Sequence, residues 1–299
     1  MQLASLHMDD DSAPRPRVTT RSKAPPIVPP RRQTIAGHVM YHGDCVRVMS
    51  RMPRESVDVV VTSPPYNIGL QYGTYKDRRA EEEYLDWMVA VATGIKRVMR
   101  PDASFFLNIT GSSVMPWLPF ELLVRLRPLF RLQNHITWIK SISIGDDSVG
   151  HFKPIRSDRF LHRNHEHIFH LTGTGNVPLK RLSVGVPFKD KTNISRRNHA
   201  QDLRCRGDSW FIPYETVHDR SQKFHHPGTF PVMLPRMCIR LHGVHAPVVL
   251  DPFMGTGTTL LAADAEGGRG LGIDLDPRYV AIARQRLQGA RKAARAAAG

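Results

Sequence analysis

The chain is poor in cysteine and has none in pairs. Cys45, Cys205 and Cys238 stand far apart with no C-x-x-C among them, which argues against a disulfide framework or a cysteine-rich zinc module and fits a reducing compartment, the cytoplasm. No run approaches the roughly 18 apolar residues of a membrane span, and the N-terminus lacks the apolar stretch of a signal peptide, so neither a membrane nor export is expected. No internal repeat is present. Negative charge is scarce as well: 27 Asp and Glu face 42 Lys and Arg, a net of +15 over 299 residues. Such a surplus suits a polyanionic partner, whose condensed counterions are released on contact. What the chain does have is apolar material, 41% of its residues, enough for one large core or two modest ones.

Residues 1–36 gather Pro14, Pro16, Pro25, Pro26, Pro29 and Pro30 among Arg and Ser with almost no large apolar side chain. A segment of that kind cannot offset its ordering entropy and reads as a disordered Pro/Arg-rich arm. Beyond it, Val57-Asp58-Val59-Val60-Val61 predicts a buried strand that stops at Ser63-Pro64-Pro65. Tyr84, Trp87, Met88, Val91, Ile95 and Val98 recur at helical spacing, with Glu81, Glu82 and Glu83 ahead and Lys96, Arg97 and Arg100 behind, matching the helix macrodipole. Further strands are expected at 103–109, 136–139, 166–171, 248–250 and 270–273. Helices are expected near 233–241, at 258–265 and from about Arg278, the last giving way to an Ala/Arg-rich tail at 289–299. Strands separated by helices mean an α/β fold, a mostly parallel sheet with helices on both faces. Residues 172–207 break the rhythm, mixing glycine and proline with Lys180, Arg181, Lys189, Lys191, Arg196, Arg197, Arg204 and Arg206. They read as one basic insertion on the sheet's rim, within a domain spanning 37–288.

Two strand ends carry chemistry. The strand at 248–250 runs into Asp251-Pro252-Phe253-Met254-Gly255-Thr256-Gly257-Thr258-Thr259 and then a helix. Glycines at such a turn let a ligand lie against bare backbone, and Asp274, about twenty residues on at the next strand end, can take both ribose hydroxyls. A nicotinamide dinucleotide is disfavoured: the third glycine of G-x-G-x-x-G is missing, and Asp251 would repel a pyrophosphate. A carboxylate there suits a ligand with an ammonium or sulfonium group, and S-adenosylmethionine has both.

The strand at 57–61 delivers Thr62-Ser63-Pro64-Pro65-Tyr66-Asn67 at its carboxyl end, where open α/β sheets bind ligands. Two prolines fix the backbone and hold carbonyls outward, so the turn presents acceptors in a set geometry. An exocyclic amine on an aromatic base needs such acceptors. Binding its two N–H groups at the Ser63 hydroxyl and the Pro64 carbonyl pushes the nitrogen toward tetrahedral, nucleophilic character. Tyr66 can stack on a base flipped out of the duplex.

Residues 62–67 and 251–259 together resemble the amino-DNA methyltransferases that modify N4 of cytosine or N6 of adenine, in the circularly permuted group whose catalytic motif precedes the cofactor motif. The likeness covers about 37–288 and includes His42-Gly43-Asp44-Cys45 and the segment His226-Pro227-Gly228-Thr229-Phe230-Pro231. It implies a Rossmann-like S-adenosylmethionine-dependent methyltransferase fold, double-stranded DNA as substrate, and DNA methylation of the kind found in restriction-modification. It admits a cognate restriction endonuclease and a homodimer as partners. By that likeness Ser63, Pro64, Pro65 and Tyr66 form the catalytic turn. Asp44, Cys45, Thr62, Asp251, Pro252, Phe253, Gly255, Gly257, Thr258 and Asp274 bind the cofactor. Asn67 with Lys180, Arg181, Lys189, Lys191, Arg196 and Arg197 meets DNA, residues 172–207 being the target-recognition insertion. Within the family Ser at position 63 goes mostly with cytosine N4 and Asp with adenine N6, so cytosine is favoured and adenine is the alternative. A non-catalytic DNA-binding protein on the same fold is the remoter one.

Other features point elsewhere and are weaker. His162, His165, His167 and His170 surround Glu166, but His165 and His170 are five apart, and an alternating strand explains the pattern better than a metal site. Cytosine C5 chemistry needs a cysteine nucleophile, usually after a proline, and no cysteine here follows one.

Overall fold

The computed structural model describes residues 30–298, apart from 71–74, 76, 151, 153–154, 156, 197–200 and 215–228. In chain order the elements are β1 (Arg31–Ile35), β2 (His38–His42), α1 (Cys45–Arg51), β3 (Val57–Thr62), α2 (Glu81–Val98), β4 (Met99–Ile109), α3 (Leu118–Leu126), β5 (Arg131–Ile139), β6 (Ser141–Ile144), β7 (Asp147–Gly150), β8 (His165–Thr172), a 3-10 turn (Arg181–Val184), α4 (Thr192–Arg196), β9 (Ser209–Phe211), α5 (Met233–His242), β10 (Val248–Asp251), α6 (Thr258–Ala265), β11 (Arg269–Asp274) and α7 (Pro277–Ala298).

Among the described residues, nine strands form one sheet in the order β1-β2-β11-β10-β3-β4-β8-β5-β9, while β6 and β7 make a separate hairpin. The run from β2 to β4 is parallel throughout. All six residues of β3 are buried, as a strand covered on both faces requires. The period of two then sorts the side chains. Val60, Phe105 and Leu250 pack beneath α1, α2 and α3, whereas Val59, Val61, Phe106 and Val249 meet Leu234 and Cys238 of α5 and Ala262 of α6. Helices therefore cover both faces, as expected. A third cluster, with Met40, Leu260, Val280 and Leu287, seats α7. No helix among the described residues is long and apolar enough to cross a membrane.

Strand direction fixes where a site can be. β8 lies antiparallel between β4 and β5, so β5 again points the same way as β4. Thr62, Ile109, Ile139, Asp251 and Asp274 thus end their strands on one rim.

Three boundaries differ from the sequence reading. Residues 31–35, assigned to the arm, are strand β1, paired antiparallel along the whole of β2. Backbone hydrogen bonding to an edge holds this mostly exposed, polar stretch, with Ile35 as its one apolar anchor on the third cluster. Residues 1–29 lie outside those described. The tail at 289–299 is mostly α7 continuing to Ala298, because Ala, Arg and Lys are strong helix formers and Arg291 clasps Asp264 of α6 at 2.6 Å.

The third concerns the insertion. It leaves β8 at Thr172, which pairs with Ser104 in the middle of β4 beside Val59 near the start of β3, at the end of the sheet opposite Thr62 and Asp251. The 3-10 turn then packs on the C-terminal end of α5: the Lys180 N–H donates to the Leu241 carbonyl at 2.8 Å, and the Ser183 hydroxyl reaches the Arg240 carbonyl at 2.5 Å.

Candidate active site

Where the parallel strands end, a cavity of about 480 Å³ opens, walled by the turn after β3, the loop after β10 and the end of β11. One hydrogen bond ties the two motif loops together. The Thr62 hydroxyl donates to Asp251 Oδ1 at 2.7 Å, joined there by the Phe253 N–H at 3.0 Å, and the Thr259 hydroxyl donates to Oδ2 at 2.6 Å. Burial pushes the Asp251 carboxyl up to about 6 against these donors. Asp274 accepts the Gly255 N–H at 2.9 Å and the Asp276 N–H at 2.8 Å, and burial, aided by the charges of Asp276 and Asp251, raises it to about 7.

This end of the cavity is acidic. Asp44, Asp251, Asp274 and Asp276 line it. Asp44 also caps α1, accepting the Arg47 N–H at 2.9 Å. Aromatic rings form a wall: Trp87 meets Phe253 edge-on at 5.4 Å and stacks on Tyr75 at 5.6 Å, with the Arg79 guanidinium 4.7 Å over the Trp87 ring. Such a pocket suits a flat ring beside hydroxyls and a cationic centre. Cys45 lines it too, but burial pushes its thiol up to about 12, so it is a packing group and no nucleophile.

The other end holds the Ser63-Pro64-Pro65-Tyr66 turn. The Tyr84 hydroxyl of α2 grips the Pro65 carbonyl at 2.7 Å and fixes the turn from behind. Tyr66 Oη sits 2.7 Å from Ser63 Oγ and donates to Glu166 Oε2 at 2.8 Å. Asn108 Nδ2 bonds Tyr66 Oη at 2.6 Å and the same Glu166 oxygen at 2.8 Å, while Lys140 Nζ donates to Glu166 Oε1 at 3.1 Å. Burial, then the charge of Glu166, drives the Tyr66 hydroxyl well above its ordinary range. Trp138, Tyr214, His162 and Arg163 complete this end.

Most residues picked out from the sequence converge here: Ser63, Pro64, Pro65, Tyr66, Asp44, Cys45, Asp251, Pro252, Phe253, Gly255, Thr258 and Asp274 all line the one cavity. Four kinds of exception stand out. Thr62 lies behind the wall, holding Asp251. Gly257 also lies outside it: at φ +82° it starts α6, and a Cβ there would come within 2.7 Å of the Ala283 Cβ, so its role is the contact with α7. Asn67, expected on DNA, is buried with φ +58°. Its side chain exchanges hydrogen bonds with the Arg79 backbone at 2.7 and 2.9 Å, closing the loop that Asp77 also ties.

The fourth exception is the basic set. Lys180 and Arg181 sit on the opposite rim, where the Lys180 stem fills the space over Gly243 at the end of α5. Lys191 pairs with Asp202 at 2.5 Å. Lys189 and Arg196 are exposed away from the cavity lining, and Arg197 lies outside the described residues. The basic groups at the cavity are Lys140 and Arg163 instead. Sequence reasoning missed them together with Glu166, Asn108, Trp87 and Tyr214. A lone Glu on a largely buried strand was the available signal for Glu166.

Comparison with known proteins gives a consistent picture. A family model described as DNA methylase matches residues 57–285. Type II methyltransferase M.ScaI of Streptomyces caespitosus is 28% identical over 260 residues, covering 84% of this chain and 81% of its own. The DNA adenine methyltransferase YhdJ of Escherichia coli is 25% identical, covering 82% and 81%. Among solved structures, the cytosine-N4-specific PvuII DNA methyltransferase shares the fold with a TM-score of 0.65 at 22% identity, over 83% of this chain and 86% of that one. A DNA modification methylase of Thermus thermophilus, TTHA0409, solved in complex with S-adenosyl-L-methionine and described there as putative, matches with a TM-score of 0.57 at 27% identity, over 83% and 92%.

Proposed function

Because the chain belongs to the DNA methylase family, we propose that it methylates the exocyclic N4 amine of a cytosine flipped out of double-stranded DNA. Its methyl donor is S-adenosylmethionine, which supplies a sulfonium methyl group open to direct attack. The acidic end of the cavity fits that donor. On this reading Asp274 takes the ribose hydroxyls and the Trp87 and Phe253 rings flank the adenine, supported by their lining of one cavity whose four carboxyl groups favour a cationic centre over an anionic dinucleotide.

The observation that carries the reading is the meeting of the Ser63–Tyr66 turn and the Asp251–Asp274 pair in one cavity, bolted by the Thr62–Asp251 bond. Ser63 Oγ and the Pro64 carbonyl accept the N–H groups of the amine and keep its lone pair on nitrogen. Tyr66 lines the space for the base. The prolines and Tyr84 hold these acceptors still, so no reorganisation is needed as charge develops. No covalent enzyme intermediate is needed.

Adenine N6 is the second reading, favoured by the likeness to an adenine methyltransferase. Ser63, with its short hydroxyl, supports cytosine. We place the duplex against the rim that carries Lys140, His162 and Arg163, with the β6–β7 hairpin beside it, while the Lys180–Arg181 turn near the start of the insertion lies on the far rim. A tritium-transfer assay from labelled donor onto mixed genomic DNA tests the activity, and nucleoside mass spectrometry of the product tests the base. Methylcytosine supports the reading, methyladenine replaces it by the second, and no label would leave a binding-only protein.

A further inference from the structure

Counting protons around Ser63 gives its hydrogen bond a direction. The Glu166 carboxylate can only accept. Tyr66 Oη, 2.8 Å away, must therefore give its single proton to Glu166 Oε2. The contact of 2.7 Å between Ser63 Oγ and Tyr66 Oη is then left with only the Ser63 proton to use. With that proton committed and Asn108 Nδ2 lying 3.4 Å from Ser63 Oγ, Ser63 keeps a lone pair for the cavity and offers it none of its hydrogen.

The neighbours enforce this polarity. Lys140 holds the other carboxylate oxygen at 3.1 Å, and Asn108 turns its NH₂ toward Tyr66 and Glu166. Its Oδ1, although buried, makes no hydrogen bond among the described residues. With a carboxylate oxygen 2.8 Å off, only that orientation avoids two oxygens in contact. Lys140 in turn lies between the Trp138 and Tyr214 rings, 5.9 and 5.8 Å from their centroids.

We propose that Glu166 is a positioning residue that sets the acceptor state of Ser63 and takes up the proton released by the methylated amine, acting through Tyr66 and Ser63. The inference rests on the amine-methylation reading above. When the nitrogen lone pair forms the N–C bond, the S–C bond of the sulfonium donor breaks and its electron pair stays on sulfur. The nitrogen then carries a positive charge and a surplus proton. That proton passes to Ser63 Oγ as the Ser63 proton passes to Tyr66 Oη and the Tyr66 proton to Glu166 Oε2. One N–H bond is lost, one O–H bond is gained on Glu166, and the proton later leaves to water. The groups facing Glu166 are Lys140 at the end of β5, Tyr66 after β3, Asn108 on β4 and Tyr214 after β9, with His162 and Arg163 in the same cavity.

The test is the single-turnover methylation rate of the full chain on DNA from about pH 5 to 9, with donor saturating at every pH so that titration of Asp274 does not enter, for wild type, Glu166→Gln, Glu166→Asp and Tyr66→Phe. Glutamine places its carbonyl toward Lys140 and its NH₂ toward Tyr66, which reverses the chain of donors. Expected are a rate lowered about 100-fold in Glu166→Gln, loss of the wild-type fall in rate at low pH, and a recovery of roughly tenfold in Glu166→Asp. Donor affinity by calorimetry should stay within about twofold. Tyr66→Phe keeps the ring and cuts the relay, so it should reproduce the slow, pH-insensitive rate, and it carries the test if Glu166→Gln does not melt cooperatively. A Glu166→Gln rate within about threefold of wild type, or a slow variant that keeps the acid fall, overturns the relay alone. A wild-type chain that labels no DNA amine overturns the methylation reading and the relay with it.

Discussion

Thr62 donates its hydroxyl proton to Asp251 at 2.7 Å, across the ends of two adjacent strands. Neither residue needs to touch a substrate for this bond to matter. It makes the Ser63–Tyr66 turn and the Asp251–Thr259 loop one body, which on the proposed reading keeps the reacting atoms at a set separation. Removing the donor with Thr62→Val leaves a buried carboxylate short of a partner. It should cost about 1–3 kcal/mol of stability, read by denaturant unfolding. Donor affinity should fall as well, and Thr62→Ser should restore both.

A pH effect follows from Asp274. Burial raises its carboxyl to about 7, so the neutral form prevails below that value and the charged form above it. Ribose hydroxyls and a cationic donor both prefer the charged form. Affinity for S-adenosylmethionine should therefore weaken as pH falls below about 7, by at most about tenfold per unit. Calorimetric titrations at about pH 6 and about pH 8 check this, and Asp274→Asn should bind weakly with a flat profile.

Gly257→Ala separates a packing glycine from a ligand glycine. The added Cβ meets Ala283 at 2.7 Å and sits at φ +82°, so α6 and α7 must part. A loss of about 1–3 kcal/mol in unfolding free energy is expected. Donor affinity measured well below the melting temperature should change little, because Gly257 lies outside the cavity wall.

The position of the duplex is tested by charge removal. Arg163→Ala should weaken DNA binding several-fold and reduce the slope of log affinity against log salt by about one. The double change Lys180→Ala with Arg181→Ala, on the far rim, should leave affinity within about twofold. Fluorescence anisotropy at several salt concentrations distinguishes them, and the opposite ranking would return the duplex to the insertion.

Much of this fold was legible because its strongest signals are local. β3 is a run of β-branched residues bounded by prolines, α2 carries its own charge pattern, and α6 matches its expected span, 258–265. The strand ends could be read as ligand sites for the same reason, since a parallel strand feeding a glycine turn has few other uses. What was not legible depends on which strand lies beside which. Glu166 and Tyr66 are a hundred residues apart and meet only because β8 is laid against β4. The insertion looked DNA-facing from its charge, but the rim on which it starts is set by the reversed direction of β8. Charge composition carries no such direction. Asn67 was misread for a related reason: a polar residue beside a catalytic turn invites a substrate role, whereas here its amide is bound to Arg79.

Strand β1 has a bearing on how the molecule can be handled. It makes β2 an interior strand and ends the sheet with Arg31, Arg32, Gln33 and Thr34, all exposed. Two arginines on an outermost strand discourage a further strand from adding. A shortened chain begun at residue 37 would bare the whole hydrogen-bonding row of β2, next to the strand that carries Asp274. Such a truncation would turn a guarded border into an adhesive one, so the same five residues that look like the end of a tail serve as the guard on this edge of the sheet.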